Sequence, residues 1–336
     1  MNGPSIIDAI RFAVKIVREH LELQAGEEVV IIADSYTDRM MIDALAGAIA
    51  GVGAEYTVVT QPARTRPEEL HRLTRSAQNA YAGADVIIPA TGSCGVSQYA
   101  AAPILWPLLA EKKARVFTLS ERSIEEMTEG AAAADYHEVE RTNLRLISAF
   151  LGAKRVRVTT SIGTDLEFSI EGRTLESLAS FARRPGEEGG IPSGEVCTAP
   201  VIGTANGVAV VDGPIGYVGP LSEPIRIVAR DGQWVEVQGE SEQADRLRHY
   251  FETVDNARNV AEFGIGTNPL ARKNGIYSEE KKRLGTMHFA FGRSNKTGNW
   301  ECEVKSAIHG DLVVYSPTIH ADGKKILEEG CIAVAG

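Results

Sequence analysis

Ile6, Ile7, Ile10, Val14, Val17 and Leu21 recur at three- and four-residue spacing, so the chain opens with an amphipathic helix. EEVVIIAD (27–34) is a continuous apolar run of strand length. TDRMMIDALAGAIAGVGA returns to helical spacing and stops in glycines. The alternation repeats, with EYTVVT as a strand, PEELHRLTRSAQNAYAG as a helix and ADVIIPA as a third strand. QYAAAPILWPLLAEKKA then reads as a proline-broken helix and ARVFTLS as a fourth strand. Short apolar strands alternating with helices predict a parallel sheet covered on both faces. Residues 1–150 are therefore expected to form a Rossmann-like α/β domain.

From Lys154 the pattern changes. RVRVTTSIGTDLEFSIEG reads as two β segments around a turn, and GVAVVDGPIGYVG and PIRIVARDGQWVEVQGE continue in β. The Asp231–Gly232 pair is a hairpin signal. SEQADRLRHYFETVDNARNVAEF is expected to interrupt the strands as one amphipathic helix. GTMHFAFG, SAIHGDLVVYSPTI and KKILEEGCIAVAG return to β, with Asp322–Gly323 turning the chain between the last two. RRPGEEGGIPSG (183–194) is the longest loop-like stretch. The fold class expected is α/β plus α+β, with a mostly antiparallel β domain over residues 151–336.

A chain of 336 residues exceeds what one core normally supports, which agrees with two domains. The net charge of −10 argues against a nucleic-acid or anionic-membrane partner. Cys94, Cys197, Cys302 and Cys331 are scattered without a CxxC, as free thiols in a reducing compartment would be. The opening helix lacks the layout of a signal peptide, and no window holds the ~20 apolar residues that span a bilayer. A cytoplasmic protein is expected. The turn after the first strand is SYTDRM, and the one after the third is TGSCG. Neither is a GxGxxG or a phosphate loop, so no nucleotide cofactor is expected.

The candidate chemistry lies in the second half. Glu195, Glu262, His288, His309 and Asp311 stand in GIPSGEVCTAP, AEFGIGTNP, GTMHFAFG and AIHGDLVVYSPTI. Acids and histidines in apolar surroundings need partners, and divalent cations satisfy several at once. In an extended segment His309 and Asp311 face the same side. Three acids and two histidines match the ligand count of a carboxylate-bridged metal pair, and a mixed N/O set suits zinc, cobalt or manganese. Glu262 is expected at the end of the amphipathic helix. Cys197, two residues after Glu195, is a further ligand to test, with a buried inert thiol as the plainer role. HEVE at 137–140 is not HExxH. His137 and His320 are spare histidines, while His20, His71 and His249 are expected on helix surfaces.

The ordered series GIPSGEVCTAP, AEFGIGTNP, GTMHFAFG and HGD before VVYSPTI resembles the aminopeptidase T (aminopeptidase S) family of metallopeptidases. The resemblance spans nearly the whole chain. It implies an N-terminal α/β domain, a homodimer, and two metal ions held by Glu195, Glu262, His288, His309 and Asp311. In that family a tyrosine stands seven residues after the motif histidine, where this chain has Asn295. A related branch is similar to 2,5-dihydroxypyridine dioxygenase and uses two histidines and one aspartate on a single iron. His288, His309 and Asp311 could form that triad.

Three functions follow as expectations. The first is a metallo-aminopeptidase acting on small peptides, in which two divalent ions activate a water and Arg293 or Lys281 donates to the oxyanion. Its alternative is a mononuclear Fe(II) ring-cleaving dioxygenase acting on a small molecule. A non-catalytic binding protein is the third. The retained Glu195 and Glu262 favour the first. The homodimer expectation rests on the resemblance and on the apolar segment AAAPILWPLLA.

Overall fold

A computed structural model of the chain describes residues 5–64, 69, 72–90, 104–119, 123–297 and 301–334. Two compact units are present: Met1–Ala134 with Ala179–Ser193, and Asp135–Leu178 with Gly194–Gly336.

In the first unit α1 (Ile6–Lys15) begins at Ser5, whose side chain and that of Asp8 cap each other reciprocally. The helix continues as a π-turn through His20. There follow β1 (Glu28–Asp34), α2 (Arg39–Ala50), β2 (Glu55–Gln61), α3 (Arg75–Ala82), β3 (Val86–Ala90), α4 (Leu105–Ala110), β4 (Arg115–Leu119) and α5 (Ile124–Thr128). β3 and β4 are buried along their whole length, and β1 beyond its first residue, as a sheet covered on both faces requires. The strands run parallel, as the alternating pattern predicts, in the order β2–β1–β3–β4. The TGSCG turn, Cys94, His71 and the start of the proline-broken helix lie outside the described residues.

Second-unit elements are α6 (Tyr136–Ala149), β5 (Arg155–Thr159), β6 (Asp165–Ser169) and β7 (Glu176–Leu178). The chain then returns to the first unit as β8 (Glu188–Ile191), a fifth parallel strand beside β4. The segment 183–194 is therefore not all loop. Its glycines reflect close approach: a Cβ at Gly189 would lie 2.2 Å from the Ser180 carbonyl oxygen, and one at Gly190 2.6 Å from that of Thr118.

Back in the second unit come β9 (Glu195–Thr198), β10 (Asn206–Val211), β11 (Ile225–Arg230), β12 (Gln233–Gln238), α7 (Glu242–Thr253), β13 (Val260–Gly266), α8 (Tyr277–Glu280) and β14 (Thr286–Gly292). The last are β15 (Lys296–Thr297), β16 (Glu301–Cys302), β17 (His309–Tyr315), β18 (Thr318–Ala321), β19 (Lys324–Glu328) and β20 (Cys331–Ile332). One antiparallel sheet runs β12–β11–β10–β6–β5–β18–β19–β20 and another β17–β14–β13–β9–β7. Asp231–Gly232 and Asp322–Gly323 make the two expected turns, all four residues at positive φ.

Two expectations change here. The unit boundary falls at 134/135 and not at 150, because α6 belongs with the second core. Its Asn143 donates to the Glu195 carbonyl (3.0 Å) and accepts from Thr267 Oγ1 (2.6 Å). The amphipathic helix ends at Thr253, and Asn256 turns the chain at φ +57. Glu262 consequently lies inside a buried strand, not at a helix end.

Phe168 of the larger sheet stands 5.1 Å from Phe263 and 6.2 Å from Phe289 of the smaller one, ring centre to ring centre. Val196, Phe263, Ile265, Met287, Phe289, Phe291, Leu312 and Val314 all enter this core. They alternate with Glu195, Glu262, His288, His309 and Asp311, which share the other face.

Candidate metal centre

The strand register brings the five side chains together. Glu195 is opposite Gly266, His288 stands between Gly264 and Val313, and Glu262 and Asp311 flank Ala290 on its two sides. Small residues beneath long polar ones let carboxylates and imidazoles converge above the sheet. The closest approach is at Gly264, where a Cβ would lie 2.2 Å from His288 Nε2. Four of the five residues are nearly inaccessible, and His309 is half-buried.

Two ligand sets result, Glu195–Glu262–His288 and Glu262–His309–Asp311, each with one donor atom per residue within 4.8 Å of the others. Glu262 belongs to both. Its Oε1 is 3.4 Å from His288 Nε2 and its Oε2 2.7 Å from His309 Nε2. Burial alone would raise the Glu262 carboxyl, but hydrogen bonds from both imidazoles hold it well below the usual carboxylate range.

His309 is oriented by its other nitrogen. Nδ1 lies 2.6 Å from the Arg293 carbonyl, an acceptor only, so Nδ1 carries a proton and Nε2 points inward. Burial lowers its pKa, yet the carboxylates of Asp311 and Glu262 push it up to about 9. In the metal-free protein His309 is an imidazolium that donates from both nitrogens.

Two lysines face the acids. Lys281 Nζ is 2.8 Å from Asp311 Oδ2, and Lys282 Nζ is 2.5 Å from Glu195 Oε1. Burial would raise the Asp311 carboxyl, but Lys281 and the imidazoles hold it far below its ordinary range. Lys281 is disfavoured by burial and is held charged by Asp311 and the other acids. The second oxygens, Asp311 Oδ1 and Glu195 Oε2, are buried and have no hydrogen-bond partner. Oδ1 sits 3.6 Å from His309 Nε2 and 4.0 Å from His288 Nε2; Glu195 Oε2 sits 3.3 Å from His288 Nε2. Buried carboxylate oxygens without a donor, beside imidazole nitrogens that become ligands on losing a proton, are what a metal site requires, so these residues fit a divalent ion.

The sequence-derived candidates are thus placed as follows. All five acids and histidines converge. Lys281 meets the centre through Asp311, and Arg293 through its backbone carbonyl. Cys197 is buried and in neither ligand set; burial and then the Glu262 charge push its thiol far up. Asn295 donates its N–H to the Ala261 carbonyl (3.2 Å). His249 is exposed, whereas His20 is buried, with Nδ1 2.9 Å from Ser180 Oγ and its ring stacked on Phe181. Lys282 was missed. Its only signal is position, in the EEKK run on the approach to the His288 strand.

The loop bearing both lysines is tied down by buried acids. Glu279 accepts from the Arg272 N–H and guanidinium and from Asn274. Glu280 accepts from the Gly275 N–H and the Tyr315 hydroxyl. Burial and then Glu280 push the Tyr315 phenol far up, which keeps it a donor.

Fold and site together define a two-unit α/β protein with a buried histidine–carboxylate centre suited to a divalent metal. A family model described as NicX, 2,5-dihydroxypyridine 5,6-dioxygenase, matches residues 12–334, and the chain belongs to that family. It is similar to the solved structure of a 2,5-dihydroxypyridine dioxygenase from Pseudomonas putida, with TM-score 0.80, 18% identity and 99% of each chain covered. It is also similar to wild-type AmpT from Thermus thermophilus, with TM-score 0.70, 18% identity, and 98% of this chain and 99% of that one covered. At that identity the two structures establish the fold, and both branches of the resemblance share it. The family match favours the dioxygenase branch over the aminopeptidase. No curated protein matches the sequence. Among the described residues, no helix is long and apolar enough to cross a membrane.

Proposed function

We propose that this chain is a ring-cleaving dioxygenase with one ferrous ion, acting on a dihydroxylated N-heteroaromatic of the 2,5-dihydroxypyridine class. Family membership across residues 12–334 supports the substrate class. The observation that carries the reading is that two imidazole Nε2 atoms face one unsatisfied carboxylate oxygen, Asp311 Oδ1. His288, from one ligand set, and His309 and Asp311, from the other, supply the residue types of the two-histidine, one-carboxylate triad of non-haem iron oxygenases. When bound there, iron supplies the one-electron chemistry through which dioxygen and an aromatic ring react.

The chain's own residues prepare that set. The Arg293 carbonyl aims His309 Nε2 inward, Gly264 leaves room for His288, and Lys281 holds Asp311 by one oxygen and leaves the other free. Glu262 is kept ionised between the imidazoles, where it accepts a hydrogen bond from His309 Nε2 and can accept one from a substrate hydroxyl.

A second reading, a two-metal aminopeptidase using zinc, cobalt or manganese, is favoured by one observation: Glu262 belongs to both ligand sets, as a bridging carboxylate would. Fe2+-loaded protein is expected to consume dioxygen in proportion to added 2,5-dihydroxypyridine and to stop on chelation. It is expected to release nothing from aminoacyl nitroanilides with Zn2+, Co2+ or Mn2+. Nitroanilide hydrolysis without oxygen uptake would replace the first reading by the second.

A further inference from the structure

Lys282 is an unusual neighbour for a metal site. Its side chain is 8% exposed, and its ammonium contacts an oxygen of Glu195, a residue of the Glu195–Glu262–His288 ligand set. We propose that the Lys282 ammonium takes the place of a second metal ion, so that Lys282 sets the number of ions this centre holds at one. The inference rests on reading the cluster as a metal centre.

Three observations support it. The first is occupancy. A carboxylate bridging two ions offers both oxygens. Glu195 and Asp311 each have one oxygen on a lysine, which leaves each a single inward-facing oxygen. Only Glu262 turns both oxygens to the imidazoles.

Charge gives the second. With both imidazoles neutral, as they must be to bind a metal, Glu195, Glu262 and Asp311 against Lys281 and Lys282 leave a single net negative charge. One divalent ion brings the centre to plus one, which an anionic ring hydroxylate neutralises. Two ions would bring it to plus three in a buried site, where uncompensated charge is strongly disfavoured.

Rigidity is the third. Lys282 is not a flexible surface chain that swings in for lack of a better partner. Its carbonyl accepts from the Asn268 N–H at 2.8 Å, and its N–H donates to the Glu279 carbonyl at 3.0 Å. Glu279 is in turn fixed by Arg272 and Asn274. The Lys282 backbone is therefore fixed, and its side chain is buried onto Glu195.

The test is Co2+ titration of metal-free full-length protein, followed by calorimetry, cobalt absorption bands and metal counting after dialysis. Wild type is expected to take one Co2+ per chain, Lys282→Met two, and Lys282→Arg, which restores the cation, one. Lys282→Gln repeats the test should the Met variant fail to fold. Two Co2+ in wild type, or one in both neutral variants, would overturn the proposal while leaving the metal centre standing. No Co2+ in any of them would overturn the metal centre itself. Oxygen uptake plays no part in the count, so failure of the dioxygenase reading shows separately.

Discussion

His288 stands where a side chain on Gly264 would begin: a Cβ at 264 would lie 2.2 Å from the His288 Nε2. Gly264→Ala is therefore expected to push the imidazole off the centre. The overpacking should cost about 1–3 kcal/mol, and metal affinity should fall about 10–100-fold, as when a ligand's support is lost. Metal content after dialysis, read beside a thermal melt, checks both. Unchanged metal binding would mean that His288 is not a ligand.

Asp311→Asn removes the charge beside Lys281 as well as a proposed ligand. Breaking a buried ion pair from one side costs about 3–5 kcal/mol, and the 16% exposure of Lys281 places the expected loss near the lower end. Metal should be lost at the same time. Replacing both residues, Asp311→Asn with Lys281→Met, should recover stability but not metal. Equal stability of the single and double variants would show that the pair is not coupled.

Metal uptake should depend on pH through His309. Its pKa in the metal-free fold is about 9, above the ordinary 6.5. A raised pKa stabilises the folded state fully below about pH 6.5, and that contribution is lost as pH rises through about 9. Metal binding has the opposite slope, because the ion must displace the Nε2 proton. Affinity should rise about tenfold per pH unit between 6.5 and 9, with about one proton released per ion. Calorimetry in buffers of different ionisation enthalpy counts that proton. A release near zero at pH 7.5 would remove His309 from the ligand set.

Tyr315→Phe takes one donor from buried Glu280, which holds the loop carrying Lys281 and Lys282. A loss of about 1–2 kcal/mol is expected, with a lower melting temperature and earlier proteolysis between residues 272 and 284. A melting curve identical to wild type would show that the loop does not depend on this contact.

Much of this was legible in the sequence, for reasons that can be named. β1, β3 and β4 are apolar runs bounded by turns, and a parallel sheet follows from their alternation with helices. His309 and Asp311 share a face because strand side chains repeat every two residues. β13 was hidden. Helical spacing through Phe251 runs on in register to Val254 and Ala257, so the turn at Asn256 leaves no break in the pattern. Strand β8 was hidden too, because its glycines read as loop when they in fact mark close backbone contact. Lys282 carried no signal beyond its position. A lysine in a charged run reads as solvated surface, and only the fold turns this one inward onto Glu195.

The chain crosses between the two units at 134/135, 178/179 and 193/194. No single cut of the polypeptide therefore releases either unit whole. A fragment ending near residue 150 would carry α6 without its core and would lack β8, leaving β4 as an unpaired sheet edge. The parallel-sheet unit cannot be lent to another protein, or exchanged for a different one, by joining ends in the usual way. Recombination would have to move the whole length together or insert one unit inside the other.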